Sequence, residues 1–291
     1  DERELLEHLN QGKISGVALD VFTKEPAYEN VLFGNDKVIV TPHLGASTLE
    51  AQENVSIQVA EQISDFLLKG AVENALNMPS ISGEDAPKIQ PFLELVKQTG
   101  SLLGQLIDFE VKKFVIEFNG KVASLNIRPL TSVALEGVFK YGIDSINMVN
   151  APIIMRKRGI EIVEITNENS EQYRSTIKLI VEGDGIVRSV EGVVFENKQP
   201  RVIQINDTRI EAELSNNMLL VTNDDQPGFV GLLGKVLGDA GVNIATLHLG
   251  REKPGGKALS LISVDNPLDK VTLDSINSLP LVNSAISINF N

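Results

Sequence analysis

Apolar residues near the start of the chain fall into two different periods. Leu5, Leu6 and Leu9 sit at helical spacing in DERELLEHLN, and Gly12 follows as a stop signal. Gly16 to Phe22 (GVALDVF) and Val38 to Val40 are instead short, nearly unbroken apolar runs, the pattern of parallel strands buried on both faces. The second run ends at Thr41-Pro42-His43. Ser47, with Glu50 one turn on, reads as a capping box that opens a helix. Ala51, Val55, Val59, Ile63, Phe66 and Leu67 then keep a helical period up to Lys69-Gly70, which predicts one long helix over 47–69 with a single buried stripe.

The polar, Pro-bearing stretch MPSISGEDAP (78–87) predicts a linker and a boundary near residue 80. Beyond it Ile89, Phe92, Leu93, Val96, Leu102, Leu103 and Leu106 mark a helix, Val111 to Phe118 a strand, and the stretches around Leu135 and Ile153 two more helices. From Glu161 to about Leu214 the period turns to β, with STIKLIVEG, IVRSVEGVVF and RVIQIND separated by Gly, Asn and Pro turns. The last segment reads strand MLLVT, turn NDDQPG, helix from Phe229, a hairpin around PGG, helix DKVTLDSINSL and strand VNSAISINF. That order is βαββαβ, the split ferredoxin-like motif. The expected fold is therefore multidomain, α/β and α+β, with segments 1–78, 79–215 and 216–291.

Composition narrows the function. A 291-residue chain that is 42% hydrophobic and 22% charged carries enough apolar side chains for ordinary cores, unlike a disordered chain. A net charge of -13 disfavours phosphate backbones and anionic membranes, so neither nucleic acid nor membrane is an expected partner. With no cysteine there is no thiolate ligand or Cys nucleophile, and no metal site is expected. No apolar run nears the roughly 20 residues of a membrane span, and the opening residues have neither a basic n-region nor an apolar h-region. A cytoplasmic location is the expectation. The chain lacks an initiator Met and opens in a helical pattern, so it reads as a piece of a longer protein.

Three histidines limit the choice of an imidazole acid/base. His43 is the best placed, because it follows a strand end, where ligands gather in open α/β sheets. Glu25 follows the preceding strand, and a carboxylate beside an imidazole favours the imidazolium and orients the ring. From position alone, a loop histidine bonded to a carbonyl is an equal reading. From position alone the favoured reading of Asp20 is a loop anchor, and that of Gly45 a turn residue that needs positive φ. The chain has no G-x-G-x-x-G turn. Gly228, Gly231 and Gly234 read as small residues for close helix packing, Gly183 to Gly185 as a turn, and Arg156, Lys157 and Arg158 as a solvated helix face. Near the last helix pair, Gly228 offers a helix start to a carboxylate and Asp225 offers an acceptor to an ammonium, with Asn223 and Asn243 as amide partners. The alternative is that these are turn and cap residues only.

The blocks GVALDVFTKEP (Gly16 to Pro26) and TPHLGAST (Thr41 to Thr48) together resemble the D-isomer-specific 2-hydroxyacid dehydrogenases. The βαββαβ segment, with DDQPG and GVNIATLHLGR, resembles an ACT domain. With LEGVFKYGIDSINMVNAPIIMRKRGI between them, the order resembles long-form members of that dehydrogenase family that carry an intervening allosteric domain. The resemblance implies the C-terminal part of a Rossmann-like dehydrogenase, in which His43 is the acid/base and Glu25 its support. Asp20, His43, Gly45 and Ala46 would border the nicotinamide of NAD. It also implies 3-phosphoglycerate as the substrate of the whole protein and L-serine as effector at Asn223, Asp225, Gly228 and Asn243, with a homo-oligomer, dimer or tetramer, formed through paired ACT domains. A dehydrogenase of another D-2-hydroxy acid and a non-catalytic amino-acid-binding module are the competing readings. The missing dinucleotide turn implies that the chain alone is inactive.

Overall fold

The computed structural model describes residues 1–170, 172–195 and 199–290. Asn291, the end of the third expected segment, lies outside the described residues, as do Glu171 and 196–198 within the second. By contacts the chain divides into two units, Asp1–Leu67 and Leu68–Asn291.

In the first unit, helix α1 (Glu2–Asn10) is opened by the Asp1 carboxylate, which accepts from the N–H groups of Arg3 and Glu4. Strands β1 (Val17–Leu19) and β2 (Val38–Val40) pair in parallel. Both were expected to be buried on two faces, yet Ile39 is 71% exposed and neither strand has a buried residue. Leu9 and Leu32 are the buried hydrophobics of this unit among the described residues. Helix α2 (Leu49–Lys69) follows a 3-10 turn at Gly45–Ser47. Its cap is Thr48, whose hydroxyl accepts from Ala51 N at 3.1 Å, so the expected Ser47 capping box is displaced by one residue. Its apolar stripe is not buried either: Val55, Val59, Ile63, Phe66 and Leu67 are 45–73% exposed. Periodicity fixes which residues share a face, but burial needs a second surface, and among the described residues of this unit no element supplies one.

The second unit has two sheets. Helix α3 (Ala86–Gln105), strand β3 (Lys113–Gly120), helices α4 (Arg128–Phe139) and α5 (Ala151–Lys157) and strands β4 (Glu161–Asn167), β5 (Ser175–Gly183), β6 (Ile186–Val194), β7 (Pro200–Ile205) and β8 (Thr208–Ala212) build a sheet of order β4-β3-β5-β6-β7-β8. Only β3 and β4 are parallel, because α4 and α5 form the crossover between them. The Gly183–Gly185 turn closes the β5–β6 hairpin, with Asp184 and Gly185 both at positive φ, as a two-residue hairpin of right-handed strands requires. The linker-like stretch 78–87 is packed rather than free: Val72 and Ile81 exchange backbone hydrogen bonds, and Ile81 and Ala86 are buried.

Strand β9 (Asn217–Asp224), helix α6 (Phe229–Asp239), strands β10 (Ile244–Arg251) and β11 (Lys257–Val264), helix α7 (Lys270–Asn277) and strand β12 (Val282–Asn289) form the βαββαβ part, in order β10-β11-β9-β12. Leu219, Val221 and Ile262 pack beneath Phe229, Leu233 and Leu237 of α6. On the opposite face Met218, Leu220, Leu259, Leu261 and Ile288 join the core of the six-stranded layer. The run MLLV is continuous because both faces of β9 are covered. The glycines expected to pack closely in α6 do not: an added methyl at Gly231 or Gly234 meets nothing within 4 Å. Close packing occurs instead between α3 and α4, where a methyl at Gly104 would stand 2.3 Å from the Val138 carbonyl oxygen. Gly104→Ala gains about 1 kcal/mol of helix propensity but overpacks a backbone contact that cannot swing aside, for a net loss of about 1–3 kcal/mol. Gly234→Ala gains up to about 1 kcal/mol. Urea unfolding of the two variants should shift in opposite directions.

Candidate functional site

Asp20 follows β1 and Thr41 follows β2, and because these strands run parallel their carboxyl ends share one edge. The ladder continues past the strands, with Thr41 N donating to Leu19 O at 3.0 Å and His43 N to Asp20 O at 2.9 Å. The Asp20 carboxylate accepts from the Thr41 hydroxyl and from the N–H groups of Leu44 and Gly45, each of the latter at 2.7 Å. These bonds, the Thr41 hydroxyl foremost, hold its carboxyl below the usual range.

His43 stands in this turn with φ of 56°, and its Nδ1 lies 2.7 Å from Glu25 Oε2. The other carboxylate oxygen of Glu25 accepts from Phe22 N at 2.9 Å. That backbone donor, with His43 second, lowers the Glu25 carboxyl, while the Glu25 bond raises the imidazole above its ordinary value. The pair borders a cavity of about 670 Å³ walled by Phe22, Pro26, Tyr28, Phe33 and Pro42. With Nδ1 engaged by the carboxylate, Nε2 is the nitrogen left to exchange a proton with a ligand. The expected partnership of His43 and Glu25 is thus assembled by two loops that follow neighbouring parallel strands.

Two details differ from expectation. Gly45 has no positive φ; the left-handed residue is His43. What Gly45 needs is space, because a methyl there would stand 2.9 Å from Asp20 Oδ2. Ala46 lies in the 3-10 turn that follows. Thr41, which the sequence did not single out, supplies a hydroxyl donor to Asp20. The signal for it was its position in TPHLGAST directly after a strand.

Of the four residues expected around an effector, Asn223, Asp225 and Gly228 lie along the β9–α6 turn, and Asn243 lies apart from them within one chain. Asn223 is buried at the end of β9, and its Oδ1 has no hydrogen-bond partner. Gly228, at φ of 99°, opens α6 without a side-chain cap. Asp225 is already engaged: one carboxylate oxygen accepts from Arg251 at 2.9 Å and from Gly255 N at 3.0 Å, and these bonds hold its carboxyl low. Arg251 was not foreseen, because hairpin register, not spacing, brings it to Asp225. Asn243 precedes β10 and donates to Asp265. Asn223 is paired with Ala258 and Ala258 with Arg251, whereas Asn243 lies beside the Ile244 end of β10. At about 3.3 Å per residue the two sites are roughly 25 Å apart. Arg156, Lys157 and Arg158 are exposed, as expected of a solvated face. Among the described residues no group of three or more His, Asp or Glu converges as metal ligands, and no helix is long and apolar enough to cross a membrane.

Residues 1–45 match the model of the D-isomer specific 2-hydroxyacid dehydrogenase NAD binding domain, and residues 88–206 that of the D-3-phosphoglycerate dehydrogenase intervening domain. The chain is 34% identical over 281 residues to D-3-phosphoglycerate dehydrogenase of Bacillus subtilis, covering 96% of this chain and 54% of the relative. It is also 34% identical over 290 residues to that of Methanocaldococcus jannaschii, covering 99% and 55%. The Mycobacterium leprae protein of the same name is 33% identical over 292 residues, covering 97% and 55%. The chain spans about half the length of the curated relatives it matches.

The His43–Glu25 pair has a pH signature. A histidine raised in the folded state adds stability below its unfolded pKa and loses that stability as pH rises through the folded value. The lowered Glu25 adds stability above its unfolded value and loses it as pH falls through its folded one. The ion pair is therefore complete between the two. NMR titration should place His43 above ~6.5, and Glu25→Gln should return it toward that value; an unchanged midpoint in Glu25→Gln would mean that the carboxylate does not hold the ring.

Proposed function

We propose, from the premise that residues 1–45 belong to the NAD-binding domain family of the D-isomer-specific 2-hydroxyacid dehydrogenases and residues 88–206 to the D-3-phosphoglycerate dehydrogenase intervening-domain family, that this chain is the acid/base-bearing and regulatory part of an NAD-dependent oxidoreductase. Its reaction is oxidation of 3-phospho-D-glycerate to 3-phosphohydroxypyruvate, the entry to L-serine. The observation that carries this reading is the 2.7 Å pair of His43 and Glu25 at the carboxyl edge of two parallel strands.

His43 Nε2 takes the proton of the substrate's C2 hydroxyl as that carbon becomes a ketone, and Glu25 stabilises the imidazolium that forms. NAD, when bound, accepts the hydride. Asp20 Oδ2 fits the nicotinamide end, since it accepts only the Gly45 N–H and keeps acceptor capacity for an amide donor, with the backbone of Gly45 and Ala46 alongside. This chain has no G-x-G-x-x-G turn for the pyrophosphate.

The proposed domains are 1–78, the C-terminal remnant of the dehydrogenase; 79–215, the intervening domain; and 216–291, an ACT domain. For regulation, the buried unpaired Oδ1 of Asn223 beside the uncapped start of α6 supports a small amino acid with a polar side chain, L-serine, with its carboxylate at the helix start. Strand β10 is an edge of its sheet. Antiparallel pairing of β10 with a second copy would bring the Asn243 end of one strand to the Arg251 end of the other, uniting residues that lie apart in one chain. The expected assembly is a dimer or tetramer built on that pairing.

In a protein joining this chain to complete nucleotide-binding and substrate domains, His43→Ala should lower kcat by about 10²–10⁴. Steady-state NADH production from 3-phosphoglycerate measures this, and near-normal turnover would remove His43 from the role. The 291-residue chain alone should yield no NADH. Isothermal calorimetry with L-serine should give binding heat that vanishes in both Asn223→Ala and Asn243→Ala; heat that persists in both would place the ligand elsewhere.

A further inference from the structure

We propose that Thr41 and Asp20 are positioning residues for His43: the Asp20 carboxylate, held by the Thr41 hydroxyl and the N–H groups of Leu44 and Gly45, locks the left-handed turn that directs the imidazole at Glu25. Its catalytic meaning rests on the acid/base reading of His43, but the clamp itself is a matter of geometry.

A non-glycine residue at positive φ is held there only by its surroundings. At His43 hydrophobic packing is not the restraint, because the ring is 61% exposed. The restraints are polar, and they converge on one residue. Asp20 accepts His43 N through its own carbonyl, then grips both sides of His43 through its carboxylate: Thr41 on one side, Leu44 and Gly45 on the other. Bonds from N–H groups to an ionised carboxylate are roughly twice as strong as neutral ones. The close approach of Gly45 to Oδ2 completes the clamp, since a side chain there would push the carboxylate away. Thr41 enters the turn already anchored by its own N–H to Leu19 O, so its hydroxyl is delivered at a fixed position. If the turn relaxes to negative φ, Cβ of His43 swings to another direction and the ring leaves Glu25.

Thr41→Val separates positioning from charge. It removes the hydroxyl, keeps the side-chain shape, and leaves the two carboxylates that act on His43, Glu25 and Asp20, in place. Thr41→Ser restores the donor. With three histidines in the chain, ring signals are assignable by comparison with His43→Gln. In the native 291-residue chain the His43 midpoint should lie above ~6.5 and the Leu44 and Gly45 amides should be protected from exchange. In Thr41→Val the midpoint should fall toward ~6.5 and the two amides should exchange at least about tenfold faster, while Thr41→Ser should retain both properties. A raised midpoint that Thr41→Val leaves unmoved, with both amides still protected, overturns the positioning role and spares the acid/base reading. An ordinary midpoint in the native chain, with both amides protected, removes the Glu25 pairing and overturns the proposal together with that reading. If Thr41→Val does not fold, the native amides decide alone: protection supports the clamp, and exchange as fast as in free loops rejects it.

Discussion

A sheet or helix with apolar residues on a face must have that face covered, and this constraint separates the two units of the chain. In the second unit it is satisfied twice over. The β9 run MLLV has α6 on one side and the six-stranded layer on the other, so the βαββαβ part shares a core with its neighbour. Polar bonds reinforce the junction: the Gln105 side chain both donates to and accepts from the backbone of Asn289, at 2.9 Å each, and the Tyr141 hydroxyl donates to the same carbonyl. A methyl at Gly250 would stand 2.2 Å from Arg209 O, so even the backbones of β8 and β10 touch. In the first unit the same constraint is unmet, with α2 carrying its stripe on the surface.

That difference explains how the candidate site is held. Where burial is small, orientation has to come from directional bonds, and Asp20 supplies four acceptor contacts to the segment around His43. Glu25 is fixed in the same manner, one oxygen on Phe22 N and the other on the imidazole. Backbone N–H groups thus restrain both carboxylates, Asp20 through both of its oxygens and Glu25 through one, and the charge of each acts on the histidine. Such sites are sensitive to neutral substitutions that remove a single donor.

The proposed effector residues illustrate a different kind of dependence. Strands β9 and β10 are both antiparallel to β11 and so run parallel to each other, joined through α6, which puts the β9–α6 turn and the start of β10 at opposite ends of the sheet, where they cannot meet within one βαββαβ module. Any ligand that touches both has to sit between two modules, and binding is then linked to association. Inside one chain the Asp225 turn is completed by Arg251 and Gly255 instead, which fixes the turn before a ligand arrives.

Much of the fold was legible because it rests on local patterns. The alternation of elements, the βαββαβ order and the Asp184–Gly185 hairpin follow from periodicity and turn chemistry, which act over a few residues. The pairing of His43 with Glu25 was legible for a related reason: parallel strands deliver their carboxyl ends to one edge, so residues just beyond them are neighbours. Burial was not legible in the first unit. GVALDVF and the α2 stripe specify faces that seek cover, and a sequence pattern cannot say whether a covering surface is there. Nor could spacing reveal that His43, not Gly45, takes the left-handed conformation, that Thr41 holds Asp20, or that Arg251 occupies Asp225. Those depend on strand register and on which donors a carboxylate meets in three dimensions, and only the tertiary structure decides them.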